Sequence, residues 1–584
     1  MGPMNPNGAI IVQGNLEILV EIHNPDYEAS RDAIAPFTEL VKSPEHLHTY
    51  RISHLSLWNA AATGLTAAAI EDRLEAHARY PVPDSVLVEI RDYMERYGLL
   101  VLRRLGEELV LEARDPYAFF EILQMKEVLP FIVRRISDTS VVVDAGRRGH
   151  LKMILTNSGF PVEDLAGYTV GEPLEISLRE RTLAGKAFAL RDYQKEAAQI
   201  FYASGSERGG SGVIVLPCGS GKTVIGMAVM ALVKTKTLIL TPNVSASRQW
   251  IRELVDKTTL TEDQVKEYSG EVKEIGPVTV ATYQILTQGK RKKAKEKEEE
   301  EEPKGKEPEM PYFSIFGKEH WGLMIYDEVH LLPAPVFRLS AEMQATRRLG
   351  LTATLIREDG KETEVFSLIG PKKFDIPWRV LEAQGWIASA ACNEIRIPME
   401  PELKMKYALA DLREKILLAG TNPAKDEIVE KLLAYHNGEH DRILIIGQYI
   451  TQLETLSARL KIPLITGKTP SRNRDALYAE FRSGKLKNLM ISKVGNFAID
   501  LPDANVLIQV SGTFGSRQEE AQRLGRVLRP KSDGGPAHFY SIVTQDSREQ
   551  EFAMNRQLFL TEQGYAYKIL KRGDWSVIAR PPIA

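Results

Sequence analysis

Residues 212–223 read Gly-Val-Ile-Val-Leu-Pro-Cys-Gly-Ser-Gly-Lys-Thr, and Val224-Ile-Gly-Met-Ala-Val-Met follows at once. A short apolar run, a glycine-rich turn and a second apolar run spell strand, loop and helix. Gly219 and Gly221 let successive backbone amides face one concavity, and the helix that opens at Lys222 adds its positive end. Pro217, Cys218, Gly219, Ser220 and Gly221 thus predict a phosphate cradle. Lys222 is the residue that reaches the β- and γ-phosphates of a nucleotide, and the Thr223 hydroxyl is a ligand for Mg2+. Leu216 stands where the pattern usually has its first glycine.

Outward from this loop the chain alternates short apolar strands with helices. The first set is Gly212–Leu216, Thr237–Leu240, Val278–Ala281, Leu323–Tyr326 and Arg348–Leu351. The second is Ile443–Ile446, Leu464–Thr466, Leu489–Ser492, Val506–Val510 and Ala537–Ile542. Such alternation predicts an α/β fold with parallel, doubly wound sheets, one per set. A break is expected across 371–402, where Pro371, Pro377, Pro398 and Pro401 punctuate the chain. The α/β domains are placed at 185–375 and 376–584.

Parallel strands deliver their carboxyl ends to the ligand crevice. Asp327-Glu328-Val329-His330 ends the strand Leu323–Tyr326, so Asp327 can face the magnesium, and Glu328 can orient and polarise the attacking water. His330 either couples the nucleotide site to its neighbours or satisfies a local hydrogen bond. Leu190-Arg191-Asp-Tyr-Gln194 precedes the first strand, and the Gln194 amide can pair with both adenine N6 and N7, which predicts ATP. In the second domain Gln522-Arg-Leu-Gly-Arg526-Val-Leu-Arg529 projects Arg526 and Arg529 from one helix face. Arginine forks supply positive charge to a γ-phosphate in transfer; a buried structural pair is the plainer alternative.

The first 184 residues differ in texture. Two apolar runs flank Gly14-Asn15, a hairpin signal. Three helical patterns follow, Leu55–Ala62, one capped by Thr66 and one expected to be capped by Asp84, and then a hairpin from Leu99 to Glu112. Three helices and a hairpin is the winged-helix order, and a helical module without a nucleic-acid role fits equally. Residues 1–113 are taken as this module and 114–184 as a small α+β domain. Residues 290–297 carry six basic side chains and one acidic, and Glu298–Glu302 follow, which predicts a solvated charged insertion over 290–311.

Composition closes off other classes. At 584 residues the chain exceeds one core. Its 75 basic and 78 acidic residues, net −3, exclude a polybasic coat but leave room for a local basic groove. Two cysteines, Cys218 and Cys392, exclude a disulfide framework. No apolar run is long enough to span a membrane and no signal-peptide pattern opens the chain, so a cytoplasmic protein is expected.

Three stretches carry a resemblance. Leu349-Gly-Leu-Thr-Ala-Thr-Leu-Ile-Arg-Glu-Asp-Gly360, Ser492-Lys-Val-Gly-Asn-Phe-Ala-Ile-Asp-Leu-Pro502 and Ser516-Arg-Gln-Glu-Glu-Ala-Gln-Arg-Leu-Gly-Arg-Val-Leu-Arg529 resemble the xeroderma pigmentosum group B (XPB) DNA helicases of superfamily two. Ser43–Arg51 and Phe559–Tyr565 are similar to the compact bacterial members. The resemblance implies two RecA-like domains with ATP between them and an ATP-driven 3′-to-5′ helicase acting in DNA repair. It adds Asp500 to the nucleotide site. It assigns DNA contacts to Thr241, Pro242 and Arg248, to Thr282 and Tyr283, and to Ser492 and Lys493. Thr352 and Thr354 would relay nucleotide state to DNA grip, and Arg357, Glu358 and Asp359 would help part the strands. A thumb-like insertion of the larger relatives has little room between Met399 and Asn422. Two rival readings remain: a duplex-DNA translocase without net unwinding, and an ATP-gated clamp that recruits a repair nuclease.

Overall fold

The computed structural model describes residues 5–43, 46–166, 171–206, 209–217, 219–287, 319–332, 345, 347–353, 362–386, 390–438, 441–492, 504–512, 537–562 and 567–571. The chain divides into two compact units, Met1–Val215 with Gly221–Asp375, and Leu216–Ser220 with Ile376–Ala584. The expected charged insertion, together with Cys218, Thr354, Arg357, Glu358, Asp359, Lys493, Asp500, Gln522, Arg526 and Arg529, lies outside the described residues.

The first unit opens with β1 (Ile10–Val12) and β2 (Glu17–Glu21), paired antiparallel as the Gly14-Asn15 turn predicts. After helix α1 (Tyr27–Ile34), β3 (Glu39–Lys42) and β4 (Leu47–Arg51) complete an antiparallel sheet of order β1-β2-β4-β3. The sequence reading missed those two strands. Helices α2 (His54–Ala62), α3 (Ala67–His77) and α4 (Asp84–Arg96) follow. Thr66 caps α3 by accepting from the Ala69 amide. Asp84 does not cap α4: Pro83 holds that position, and Asp84 stands in the first turn, where its charge still meets the positive helix end.

Strands β5 (Leu100–Leu105) and β6 (Glu108–Ala113) form the expected hairpin, but it does not end the module. Helix α5 (Pro116–Leu123), strands β7 (Ile132–Arg135) and β8 (Ser140–Val143), helix α6 (Arg148–Asn157) and β9 (Val162–Asp164) build one sheet with it, of order β7-β8-β6-β5-β9. Leu100, Leu111, Phe119, Val141, Leu151 and Leu155 share its core. A boundary at 113/114 would cut this sheet, and the two small N-terminal domains read from sequence share their hydrogen bonding here. The stretch expected to close at 184 also reaches further, because Pro173 bridges to Thr235 and Leu178 to Thr258 of the following α/β layer.

That layer runs α7 (Asp192–Tyr202), β10 (Ser211–Val215), α8 (Lys222–Val233), β11 (Thr237–Thr241), α9 (Val244–Lys257), β12 (Val265–Tyr268), β13 (Val278–Thr282), α10 (Tyr283–Thr287), β14 (Leu323–Asp327), β15 (Arg347–Thr352) and β16 (Lys372–Asp375). Its strands are parallel, in the order β12-β13-β11-β14-β15-β10-β16. Every residue of β11 and β13 is buried, as strands covered on both faces require.

The second unit carries β17 (Ala390–Ile397), β18 (Ile443–Gly447), β19 (Leu464–Ile465), β20 (Asn488–Ser492), β21 (Val506–Gln509), β22 (Ala537–Thr544) and β23 (Tyr567–Lys571). These are parallel too, in the order β19-β20-β18-β21-β22-β17-β23. Each α/β sheet therefore has seven strands among the described residues, where about five were expected. The proline-punctuated break at 371–402 holds β16 and β17. Between Met399 and Asn422, the slot judged too short for an insertion, stand two helices, Pro401–Leu409 and Leu412–Gly420.

Candidate active site

Register fixes what meets at the carboxyl edge of the first sheet. Val215 at the end of β10 pairs with Thr352 on β15, and Asp327 at the end of β14 pairs with Leu351. The glycine turn, the acidic pair and Thr352 therefore leave the sheet at one level. Gly219 and Gly221 hold φ of +81° and +86°, values that disfavour a side chain. A Cβ at Gly221 would also lie 2.7 Å from Gln194 Nε2.

Lys222 starts α8 and donates from Nζ to Glu328 Oε1 at 2.8 Å. Glu328 holds φ +51°, left-handed for a residue with a side chain, at a cost of about 1–3 kcal/mol. The turn aims its carboxylate at Lys222. Its second oxygen, Oε2, is buried and accepts no hydrogen bond, with His330 Nδ1 3.5 Å away. His330 is itself buried and bonds Thr352 Oγ1 at 2.6 Å, so β14 and β15 are tied where they leave the sheet. The local-hydrogen-bond and the coupling readings of His330 meet in this one contact.

Burial pushes the Asp327 carboxyl up to about 6, and the adjacent Glu328 charge adds to the shift. Burial is the largest influence on Glu328 and acts in the same direction, but the Lys222 ammonium, His330 and the Ala353 backbone amide together outweigh it and hold Glu328 below the usual carboxylate range. The neighbouring acids are thereby driven apart, the pattern of sites where one carboxylate stays charged beside a second. Asp327 is held by two contacts the sequence did not announce. Trp250 Nε1 donates to Asp327 Oδ2 at 2.9 Å, and the Tyr283 hydroxyl donates to the Asp327 carbonyl at 2.7 Å. Thr223 follows Lys222 in the first turn of α8. Thr223 and Asp327 offer hydroxyl and carboxylate oxygens, the hard donors that suit Mg2+, and the bare Glu328 Oε2 leaves an acceptor for a metal-bound or attacking water.

Gln194 is buried, and its Oε1 accepts from the Arg191 backbone amide at 3.0 Å, closing the first turn of α7. Reading adenine would use the amide nitrogen and the remaining lone pair of that oxygen. Ser220 Oγ bonds the Pro217 carbonyl at 2.6 Å and tightens the loop from within.

The side chains expected to touch DNA are mostly turned inward. Thr241 is fully buried and bonds Ser247 Oγ at 2.7 Å, Thr282 and Ser492 are buried, and Tyr283 is occupied at Asp327. These side chains bond within the fold, and the DNA contacts assigned to them rest on the resemblance. Pro242 is half-buried just before the cap of α9, and Arg248 is exposed on that helix, paired with Glu267 and Glu271. No helix among the described residues is long and apolar enough to cross a membrane.

Comparison with known proteins follows the same division of the chain. The family model "ERCC3/RAD25/XPB C-terminal helicase" matches residues 381–576, "Type III restriction enzyme, res subunit" matches 187–357, and "Helicase conserved C-terminal domain" matches 10–137. The chain is similar to the DNA 3'-5' helicase XPB of Kineococcus radiotolerans, 50% identical over 97% of both chains. The protein of the same name from Mycobacterium tuberculosis is 50% identical over 97% of this chain and 98% of its own. The general transcription and DNA repair factor IIH helicase/translocase subunit XPB of Enterocytozoon bieneusi is 31% identical over 95% of this chain and 91% of its own.

Proposed function

The chain belongs to the XPB family of DNA helicases, and we propose that Lys222, Asp327 and Glu328 form the centre at which it hydrolyses ATP. It is an ATP-dependent DNA helicase of superfamily two, working 3′ to 5′. The observation that carries the site is the ion pair from the phosphate loop to the acidic turn, Lys222 Nζ to Glu328 Oε1, with one buried oxygen of Glu328 left open. In this reading Lys222 exchanges Glu328 for the β- and γ-phosphates of the nucleotide. Glu328, released, turns its carboxylate on the attacking water. Thr223 and Asp327 hold Mg2+, which supplies neutralisation of the phosphate charge. Gln194 and Arg191 select adenine. For Asp500, Gln522, Arg526 and Arg529 the assignment rests on the motif alone, and so does that of Lys493 and of the strand-parting trio Arg357, Glu358 and Asp359. On the DNA side, Arg248 is the exposed cation beside Pro242, and Thr241 and Thr282 act as struts beneath the backbone that meets phosphate.

We place the activity in the cytoplasm, with the DNA it repairs, and take 1–166 to be its DNA-facing accessory region. A second reading, translocation on duplex DNA without net unwinding, is favoured by the helicase/translocase name of the Enterocytozoon relative. ATP hydrolysis, strand displacement and triplex displacement measured on one preparation decide between them. An unwinding enzyme scores in strand displacement, a translocase in triplex displacement only, and an ATP-gated clamp with a nuclease partner in neither. A folded protein without DNA-stimulated ATP hydrolysis would overturn the proposal.

A further inference from the structure

Trp250 lies in α9, two residues beyond Arg248, and its side chain turns the opposite way, into the domain, where it is 1% exposed. The indole N–H is its one polar group, a donor only, and it meets the Asp327 carboxylate, 77 residues along the chain. The ring also lies against the helix that opens with Lys222: a Cβ at Gly226 would come 2.5 Å from Trp250 Cη2, so that position has room for glycine alone. The indole is therefore fixed between α8 and the end of β14, with its N–H aimed at one oxygen. Asn243 caps α9 directly after Pro242, by accepting from the Ala246 amide at 2.9 Å, so one helix runs from this cap to Trp250 and beyond. The second segment proposed to meet DNA converges on the same residue, because Tyr283, first in α10, holds the Asp327 carbonyl.

Resting on the reading of Asp327 as the magnesium carboxylate, we infer that Trp250 is a positioning residue that sets the Asp327 carboxylate for the metal and ties that setting to DNA held along α9. A shift of α9 under a bound phosphate backbone changes the indole-to-carboxylate bond, and so changes how Asp327 presents its free oxygen. A tryptophan that merely fills the core would need its ring volume, and its N–H would matter only as a satisfied donor.

The test replaces the Trp250 indole by benzothiophene, which keeps the ring shape and removes the N–H, with Trp250→Phe as a second variant and Asp327→Asn as a control. Binding of a fluorescent ADP analogue is titrated in EDTA and then with increasing Mg2+, with and without duplex DNA. The expected result is unchanged affinity in EDTA, a rise of about fivefold or more in the Mg2+ needed for half-maximal tightening, and loss of the effect of DNA on that midpoint. An unchanged midpoint and DNA response in the benzothiophene protein, while Asp327→Asn shifts the midpoint, overturns the positioning role and leaves the metal reading standing. An Asp327→Asn protein with an unchanged midpoint overturns the metal reading, and the inference with it. Equal loss of affinity in EDTA and in Mg2+ identifies Trp250 as packing only and also overturns it.

Discussion

The two α/β sheets share one strand order, and each has a lysine–glutamate pair beside its strand ends, yet the pairs are built to opposite ends. In the second sheet Lys425 is fully buried and donates to Glu549 Oε1 and Oε2 at 2.7 and 2.8 Å and to the Val510 carbonyl at 2.7 Å. Glu549 Oε2 also accepts from the Thr544 amide at 2.9 Å, so both carboxylate oxygens are bonded. That pair closes on itself. In the first sheet the Lys222–Glu328 pair hangs from a glycine turn and a left-handed glutamate, and the second carboxylate oxygen, 3.5 Å from His330 Nδ1, accepts no hydrogen bond. One arrangement fixes the strand ends, and the other is the pair that, in the proposed function, exchanges partners. The fold is common to both, and the chemistry lies in the loops at the strand ends.

The sharpest way to break this contrast is to remove each lysine. Lys425→Met leaves Glu549 buried without its cation and should lower the stability of the second unit by about 3–5 kcal/mol in denaturant titrations. Adding Glu549→Leu should recover most of that loss, because it removes the stranded charge. Lys222→Ala should cost less stability than Lys425→Met, since Glu328 is 16% exposed where Glu549 is 5% exposed. Steady-state ATP hydrolysis, with or without DNA, should fall at least about 100-fold. Wild-type stability in the first case, or wild-type turnover in the second, would erase the distinction between the pairs.

A smaller effect in the second unit depends on pH. Burial in the second unit lowers the His436 imidazole to about 4, the nearby His538 adds to this, and Asp441 opposes it, while His436 Nε2 bonds the Tyr540 hydroxyl at 2.9 Å. The unfolded chain therefore takes up this proton first. Stability is fully present above the ordinary value near 6.5 and is lost as pH falls from there to 4. At most the loss is about 3 kcal/mol. Denaturation of wild type against His436→Gln between pH 7 and 4 checks this: the variant should show a shallower slope by the share of His436, and an equal slope in both would reject it.

What the sequence disclosed follows burial. Strands covered on both faces, such as Thr237–Thr241 and Ile443–Gly447, read as unbroken apolar runs and were found within a residue or two. In the α/β sheets, the edge strands Val265–Tyr268, Lys372–Asp375 and Tyr567–Lys571 failed to show, because lysines and acids interrupt their apolar runs. Ala390–Ile397 hid for another reason: Glu394 sits inside it, buried and bonded to Arg396 and Tyr567, and breaks the apolar pattern. At the site, Lys222, Asp327 and Glu328 announced themselves because phosphate chemistry demands those types after a strand. Trp250 did not, since a tryptophan on the buried stripe of a helix reads as core, and only tertiary packing carries its N–H to Asp327. For Thr241 and Tyr283 the motif named the segment, but their partners Ser247 and Asp327 could not be read from it, because exposure is not written in a motif.

The central claim is that the open oxygen of Glu328 belongs to water activation and its partner Lys222 to nucleotide binding. Glu328→Gln, assayed for Mg·ATP affinity and for hydrolysis on one preparation, tests it most directly. Affinity should stay within about threefold of wild type, and hydrolysis should fall at least about 100-fold. A variant that hydrolyses ATP normally, or that loses ATP binding as completely as Lys222→Ala, would contradict it.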